Sequence, residues 1–110
     1  MRRLALLVPV LALLAVAGCG SSSGGGGGGT VAGPPGKKLF VENGCGSCHQ
    51  LSAADGQGSF GPNLDALKPS AAQVEAALRQ GPGAMPSFEG RLSDADIATL
   101  ADYVQTSAGA

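Results

Sequence analysis

At 110 residues the chain is long enough for one small domain, and with three Phe, one Tyr and no Trp it has few large side chains from which to build a core. Its formal charge of −1 at pH 7 excludes the strongly basic balance expected of a nucleic-acid binder.

The chain opens on Arg2 and Arg3, followed by an apolar stretch from Leu4 to Ala17 that ends in small residues. These 14 residues, Pro9 among them, fall short of the roughly 20 needed to span a bilayer, so the segment reads as a signal peptide. Two cleavage sites compete. Ala15-Val16-Ala17 suits ordinary signal peptidase, whereas Val16-Ala17-Gly18-Cys19 is similar to a bacterial lipobox. The lipobox is the expectation, because Cys19 stands where the apolar stretch ends and a flexible tether begins. A diacylglyceryl group on its sulfur would hold the protein at a membrane stably, where a single chain, at about 0.8 kcal/mol per buried methylene, is marginal. Residues 1–18 are thus expected to be a lipoprotein signal peptide, and 19–36 the lipidated Cys and a linker of Gly, Ser and Pro without charge. The glycine run Gly24–Gly29 has no strand before it and no Gly-Lys-Ser/Thr after it, so it is a leash and not a phosphate loop. The 17 residues from Gly20 to Gly36 have a root-mean-square reach of about 23 Å.

The folded domain is expected over 37–110. Lys37-Leu39-Phe40-Val41-Glu42 suggests a short first helix that Gly44 can end. Cys45-Gly46-Ser47-Cys48-His49 follows at once and is a CxxCH run, the attachment site of a c-type haem. Thiols at i and i+3 stand about one helical turn apart on one side of the backbone, as addition to two vinyl groups requires, and the next residue then faces the iron. A neutral imidazole is a strong iron ligand. Two other readings of the CxxC stay open: a thioredoxin-like dithiol, which wants a βαβ setting that this chain lacks, and half of a zinc site, which wants about four ligands. With haem on Cys45 and Cys48 and lipid on Cys19, no cysteine is left for a disulfide. A core of this size is marginal unaided, so a buried porphyrin would form much of the interior, and the haem-free domain is expected to fold poorly.

After the CxxCH comes a loop with Gly56, Gly58, Gly61 and Pro62. The second helix is capped by Ser70 with Gln73 three residues on, carries Val74, Ala77 and Leu78 on its apolar side, and stops at Gly81. Gly81-Pro82-Gly83-Ala84-Met85-Pro86 is a second loop rich in turn formers. His49 is the only histidine, and Met1 leaves with the signal peptide, so Met85 is the candidate for a second iron ligand. The alternative is a methionine that packs the loop against the core, with lysine or water at the iron. The third helix begins after Ser93 with Asp94 and Asp96 at its positive end, and Ile97, Leu100, Ala101 and Val104 follow at i, i+3, i+4 and i+7. No sustained alternation and no hairpin signal stand out, so the expected fold is all-α.

These residues resemble the class I cytochromes c over nearly all of 37–106. The likeness rests on Leu39-Phe40 and Gly44 before the CxxCH, then Gly61-Pro62-Asn63-Leu64, then Ala84-Met85-Pro86, then Leu100-Ala101-Asp102-Tyr103-Val104 in a terminal helix. With the lipobox and leash, the chain is similar to the small lipoprotein cytochromes c of bacteria. The resemblance implies three to four short helices wrapped around one covalently attached haem c. It implies that first and last helices cross, with Phe40 and Tyr103 near that crossing or the haem, and that the carbonyl of Pro62 accepts the Nδ1 proton of His49. It also implies an electron carrier and not an enzyme, with His49 and Met85 as axial ligands and the haem edge near Cys45 and Cys48 as the electron port.

From Gly20 onward five Lys/Arg stand against eight Asp/Glu, so a basic face steering onto an acidic oxidase is not supported. Confinement by the tether would instead raise the effective concentration near membrane-embedded redox complexes, such as a quinol–cytochrome c oxidoreductase or a terminal oxidase. The expected place is the outer face of the bacterial cytoplasmic membrane, with the chain a monomer. Two rivals remain: a haem sensor or peroxidase-like enzyme with an open iron site, which would need an acid-base pair above the iron, and a tethered dithiol oxidoreductase if no haem is attached.

Overall fold

The computed structural model describes residues 31–110. The signal peptide, Cys19 and most of the linker lie outside the described residues. Four α-helices and one small β-hairpin make up the domain, so the all-α expectation needs correction by a single two-stranded sheet.

Helix α1 spans Pro35–Glu42 and begins two residues before the expected start. Pro35 suits the first helical position, where a missing N–H leaves nothing unsatisfied. Asn43 closes the helix, its backbone N–H and side-chain amide both donating to the carbonyl of Leu39 at 3.1 and 2.8 Å. Gly44 then takes φ 72° and turns the chain into a 3₁₀ turn over Cys45–Ser47, which places the cysteines directly after α1.

The hairpin pairs β1, Gln50–Leu51, with β2, Gly56–Gln57, in antiparallel register around a 3₁₀ turn over Ser52–Ala54. Strands of two residues are too short to show alternation. The available signal was Asp55-Gly56, a common turn dipeptide, with Asp55 at φ 54°. Leu51 is the one strand residue whose large side chain is fully buried, and it anchors the hairpin to the core.

Helix α2, Leu64–Leu67, falls within the stretch between the CxxCH and Ser70 that the sequence suggests is loop. It is a single turn held by Asn63, whose side chain accepts from the N–H of Ala66 at 3.2 Å. Helix α3, Ala71–Gln80, carries the expected capping box: Ser70 and Gln73 each accept from the other's backbone N–H, at 3.2 and 2.9 Å. Helix α4, Asp94–Ser107, starts at Ser93 as expected, and Ile97, Leu100, Ala101 and Val104 are all buried.

Helix α4 packs against both α1 and α3. Gly36 lies so close to Tyr103 and Thr99 that a β-carbon at position 36 would overlap the tyrosine, and Phe40, one turn on, is fully buried. The core joins Phe40, Leu51, Ile97 and Leu100 to Leu64, Leu78, Phe88 and Val104, with Tyr103 half-buried at its border. This core forms one wall of a large hollow.

Candidate functional site

That hollow has a volume of about 780 Å³, near the upper end of the roughly 300–1,000 Å³ typical of cofactor sites. Cys45, Cys48, His49, Pro62 and Met85 all line it, although they come from three separate segments of chain. Its walls are apolar, with Leu64, Leu67, Val74, Leu78, Phe88 and Val104 among them, and no charged side chain of the described residues takes part. At the rim Phe60 is 78% and Leu67 59% exposed. Large apolar side chains turned toward an open hollow call for an apolar occupant.

One side of the hollow is built from two chain segments running side by side, joined by a repeated offset of 12 or 13 residues. Gly58 N–H donates to the carbonyl of Gly46 at 2.9 Å and Gly61 N–H to that of Cys48 at 2.7 Å. His49 Nδ1 lies 2.9 Å from the carbonyl oxygen of Pro62. The Asn63 amide donates to the side-chain oxygen of Gln50 at 2.9 Å. Finally, the backbone N–H and hydroxyl of Ser52 donate to one carboxylate oxygen of Asp65, at 2.9 and 2.8 Å, while its other oxygen accepts from Gly109 N–H at 2.9 Å. These donors, Gly109 first and Ser52 next, hold the Asp65 carboxyl below its ordinary pKa.

The histidine contact has a chemical consequence. A carbonyl oxygen can only accept, so the bond places the imidazole proton on Nδ1 and leaves the Nε2 lone pair free for a metal. Gly61 makes that contact possible, because a β-carbon there would lie 2.8 Å from His49 Cε1 and 3.0 Å from Nδ1. The Pro62–His49 pairing implied by the resemblance is present, while the flanking Gln50–Asn63 and Ser52–Asp65 bonds were missed. Both join side chains 13 residues apart, and no local periodicity signals such a pair.

The facing side is the loop after α3. Gly81 takes φ 61°, its N–H donates to the carbonyl of Ala77 at 2.9 Å, and a β-carbon there would lie 2.5 Å from Ser87 N. The chain then reverses through Pro82–Met85, closed by a 3.1 Å bond from Met85 N–H to the carbonyl of Pro82. Met85 is half-buried against the core and faces the same hollow as His49.

The donor set therefore fits a covalently held haem: two thiols at i and i+3, an imidazole with its outer nitrogen occupied, and a thioether in the facing loop. The competing readings fit less well. Burial pushes the Cys45 thiol up to about 11, the opposite of what a nucleophilic CxxC dithiol needs. Among the described residues, no three of His, Cys, Asp and Glu converge into a metal cluster, so a zinc centre is not formed. Arg79 points to Glu89 and Asp94, and Arg91 lies over the Phe88 ring, 5.0 Å from its centroid. Neither arginine is among the described residues that line the hollow.

Comparison with known proteins points the same way. A family model described as cytochrome c oxidase, cbb3-type, subunit III matches residues 31–104. Cytochrome c6 of a Synechocystis species is 40% identical over 73 residues, covering 63% of this chain and 60% of that protein. Cytochrome c6 of Leptolyngbya boryana is 37% identical over 73 residues, 63% of this chain and 85% of that protein. The cbb3-type cytochrome c oxidase subunit FixP of Bradyrhizobium diazoefficiens is 37% identical over 79 residues, which are 67% of this chain and only 27% of the subunit. Among solved structures, the c-type cytochrome SorU from Sinorhizobium meliloti superposes with a TM-score of 0.64 at 44% identity, covering 68% of this chain and 88% of that one.

Proposed function

Since this chain belongs to the cytochrome c family, whose members bind haem c, we propose that it holds one haem c through Cys45 and Cys48 and is a single-electron carrier tethered to the outer face of a bacterial cytoplasmic membrane. The observation that carries the reading is the convergence of Cys45, Cys48, His49, Pro62 and Met85 on one apolar hollow. When bound, the haem supplies an iron that takes up and releases one electron. The side chains do the rest. Cys45 and Cys48 hold the porphyrin as thioethers, and His49 offers Nε2 to the iron while Pro62 keeps the proton on Nδ1. Met85 offers its sulfur from the facing loop, and His/Met ligation raises the reduction potential. With His49 and Met85 both offered to the iron, no site would be left open for a substrate, which favours a carrier over an enzyme. The apolar walls formed by Leu64, Leu78 and Phe88 keep water from the iron.

The tether is the part of the proposal that rests on sequence. No helix of the described residues is long and apolar enough to cross a membrane, and the proposed anchor is lipid on Cys19 after removal of residues 1–18. The linker ahead of α1, which begins at Pro35, would let the domain swivel at the surface. Its partners would be membrane-embedded redox complexes, a quinol–cytochrome c oxidoreductase on one side and a terminal oxidase on the other. The FixP relative, a subunit of such an oxidase, supports the second.

The test is the ferric absorption spectrum of the haem-loaded protein. A far-red charge-transfer band from thioether sulfur on low-spin iron, abolished in Met85→Ala, is expected. High-spin iron in the native protein would instead point to a sensor or enzyme. Tethering is tested separately: Cys19→Ser should move the protein from the membrane fraction to the soluble one.

A further inference from the structure

We propose that Ser87 and Arg79 are positioning residues for Met85, acting as a lock at the neck of the loop that carries it; this rests on the reading of Met85 as an axial ligand. The loop leaves α3 after Gln80 and returns at Ser87, and the last turn of the helix is fastened to the returning chain. Phe88 N–H donates to the carbonyl of Leu78 at 2.7 Å, and the Ser87 hydroxyl donates to the carbonyl of Arg79 at 2.7 Å. The same Ser87 oxygen accepts from Glu89 N–H at 3.3 Å. On the side-chain level, one guanidinium nitrogen of Arg79 reaches Glu89 at 2.8 Å and Asp94 at 3.0 Å. Residue 79 is thus held twice, through its backbone by Ser87 and through its side chain by Glu89 and the first turn of α4.

Within the neck, the only backbone bond that closes the turn is the one from Met85 to Pro82. The segment has no ladder to a neighbouring strand and no bond to the far wall, so its local opening is governed at its ends. Ser87 serves one carbonyl and one amide with a single hydroxyl. The arginine pair is exposed, Asp94 at 84%, and is therefore weak and sensitive to salt. Neither residue touches the hollow, so neither meets the haem. Their effect on the iron must pass through where Met85 sits.

The experiment measures imidazole binding to the ferric, haem-loaded protein, together with the far-red sulfur band and the far-ultraviolet melt. Imidazole competes with Met85 only when the loop opens, so its apparent affinity reports the open population. Ser87→Ala and Arg79→Gln should each tighten imidazole binding by roughly threefold to tenfold, and together by more. Ser87→Thr, which restores a hydroxyl, should return the native affinity. Raising salt should tighten binding to the native protein and leave Arg79→Gln unchanged. A merely structural role would lower the melting temperature without changing affinity at a temperature where all variants are folded. Native protein with the sulfur band but with unchanged imidazole affinity in both variants overturns the lock. Native protein without the band overturns the Met85 reading and the lock with it.

Discussion

The two walls of the haem site are held in different ways. The histidine wall is two segments, 46–52 and 58–65, cross-linked through five residue pairs spread along their length. The methionine wall is a loop fastened at its neck, with a single turn bond inside. A cross-linked strap moves as a unit, so displacing His49 requires several bonds to break together. A loop tied at its ends can open alone. On the proposed ligation, this difference would give permanence to one ligand and adjustability to the other: the strap would fix His49, and the neck would govern how readily Met85 moves away.

The largest effect is expected where both walls lose their shared support. Left empty, the 780 Å³ hollow would expose its apolar walls to water, a loss of burial set against the ~5–15 kcal/mol stability of a small domain. The domain without haem should lose its cooperative melt by circular dichroism. A sharp transition with native helix content would mean that the walls stand without their occupant.

Glycine replacements then separate the walls. In Gly61→Ala the new methyl meets the His49 ring and Cys48 carbonyl, and overpacking of this kind costs about 1–3 kcal/mol. Denaturant unfolding of the holoprotein should show that loss, with the His49 signals shifted by nuclear magnetic resonance. In Gly81→Ala the strain of φ 61° and the clash with Ser87 fall on the loop, so the sulfur band should vanish while haem stays attached and the strap is undisturbed. Equal damage to both walls in either variant would contradict their independence.

Smaller changes test the strap itself. Asn63 both caps α2 and bonds Gln50, and loss of such a cap costs about 0.5–2 kcal/mol. Asn63→Ala should lower stability by about that much without weakening the sulfur band. Smallest is a pH effect at Asp65, whose carboxyl is held below its ordinary pKa by Gly109 and Ser52. A depressed folded pKa favours the carboxylate, so its contribution is complete above the unfolded pKa of about 3.9 and fades as pH falls through the lower folded value. Melting temperature against pH should therefore fall more steeply below that point in the native protein than in Asp65→Asn.

Much of this was legible in the chain. Ser70 with Gln73, Ser93 with its two aspartates, and the buried stripe on α4 rest on contacts within four residues, which periodicity and capping chemistry report directly. The Cys45–His49 run was legible because covalent attachment demands a local spacing. The β1–β2 pair and α2 were not read, since two-residue strands and a one-turn helix are too short for periodicity. They exist because Leu51 and Leu64 are drawn into the core and Asn63 satisfies the freed N–H.

By itself, then, the sequence determined the cofactor, the helices with strong caps, and the identities of the candidate ligands, all properties carried by neighbouring residues. Only the tertiary structure decided that His49 and Met85 face one hollow, that Gln50, Ser52, Asn63 and Asp65 stitch a strap behind the histidine, and that Arg79 and Ser87 close the neck of the opposite loop. The bonds of the strap and the neck join residues 8 to 15 positions apart, and His49 and Met85 are farther apart still. Their distances are set by how the helices pack and not by any pattern along the chain.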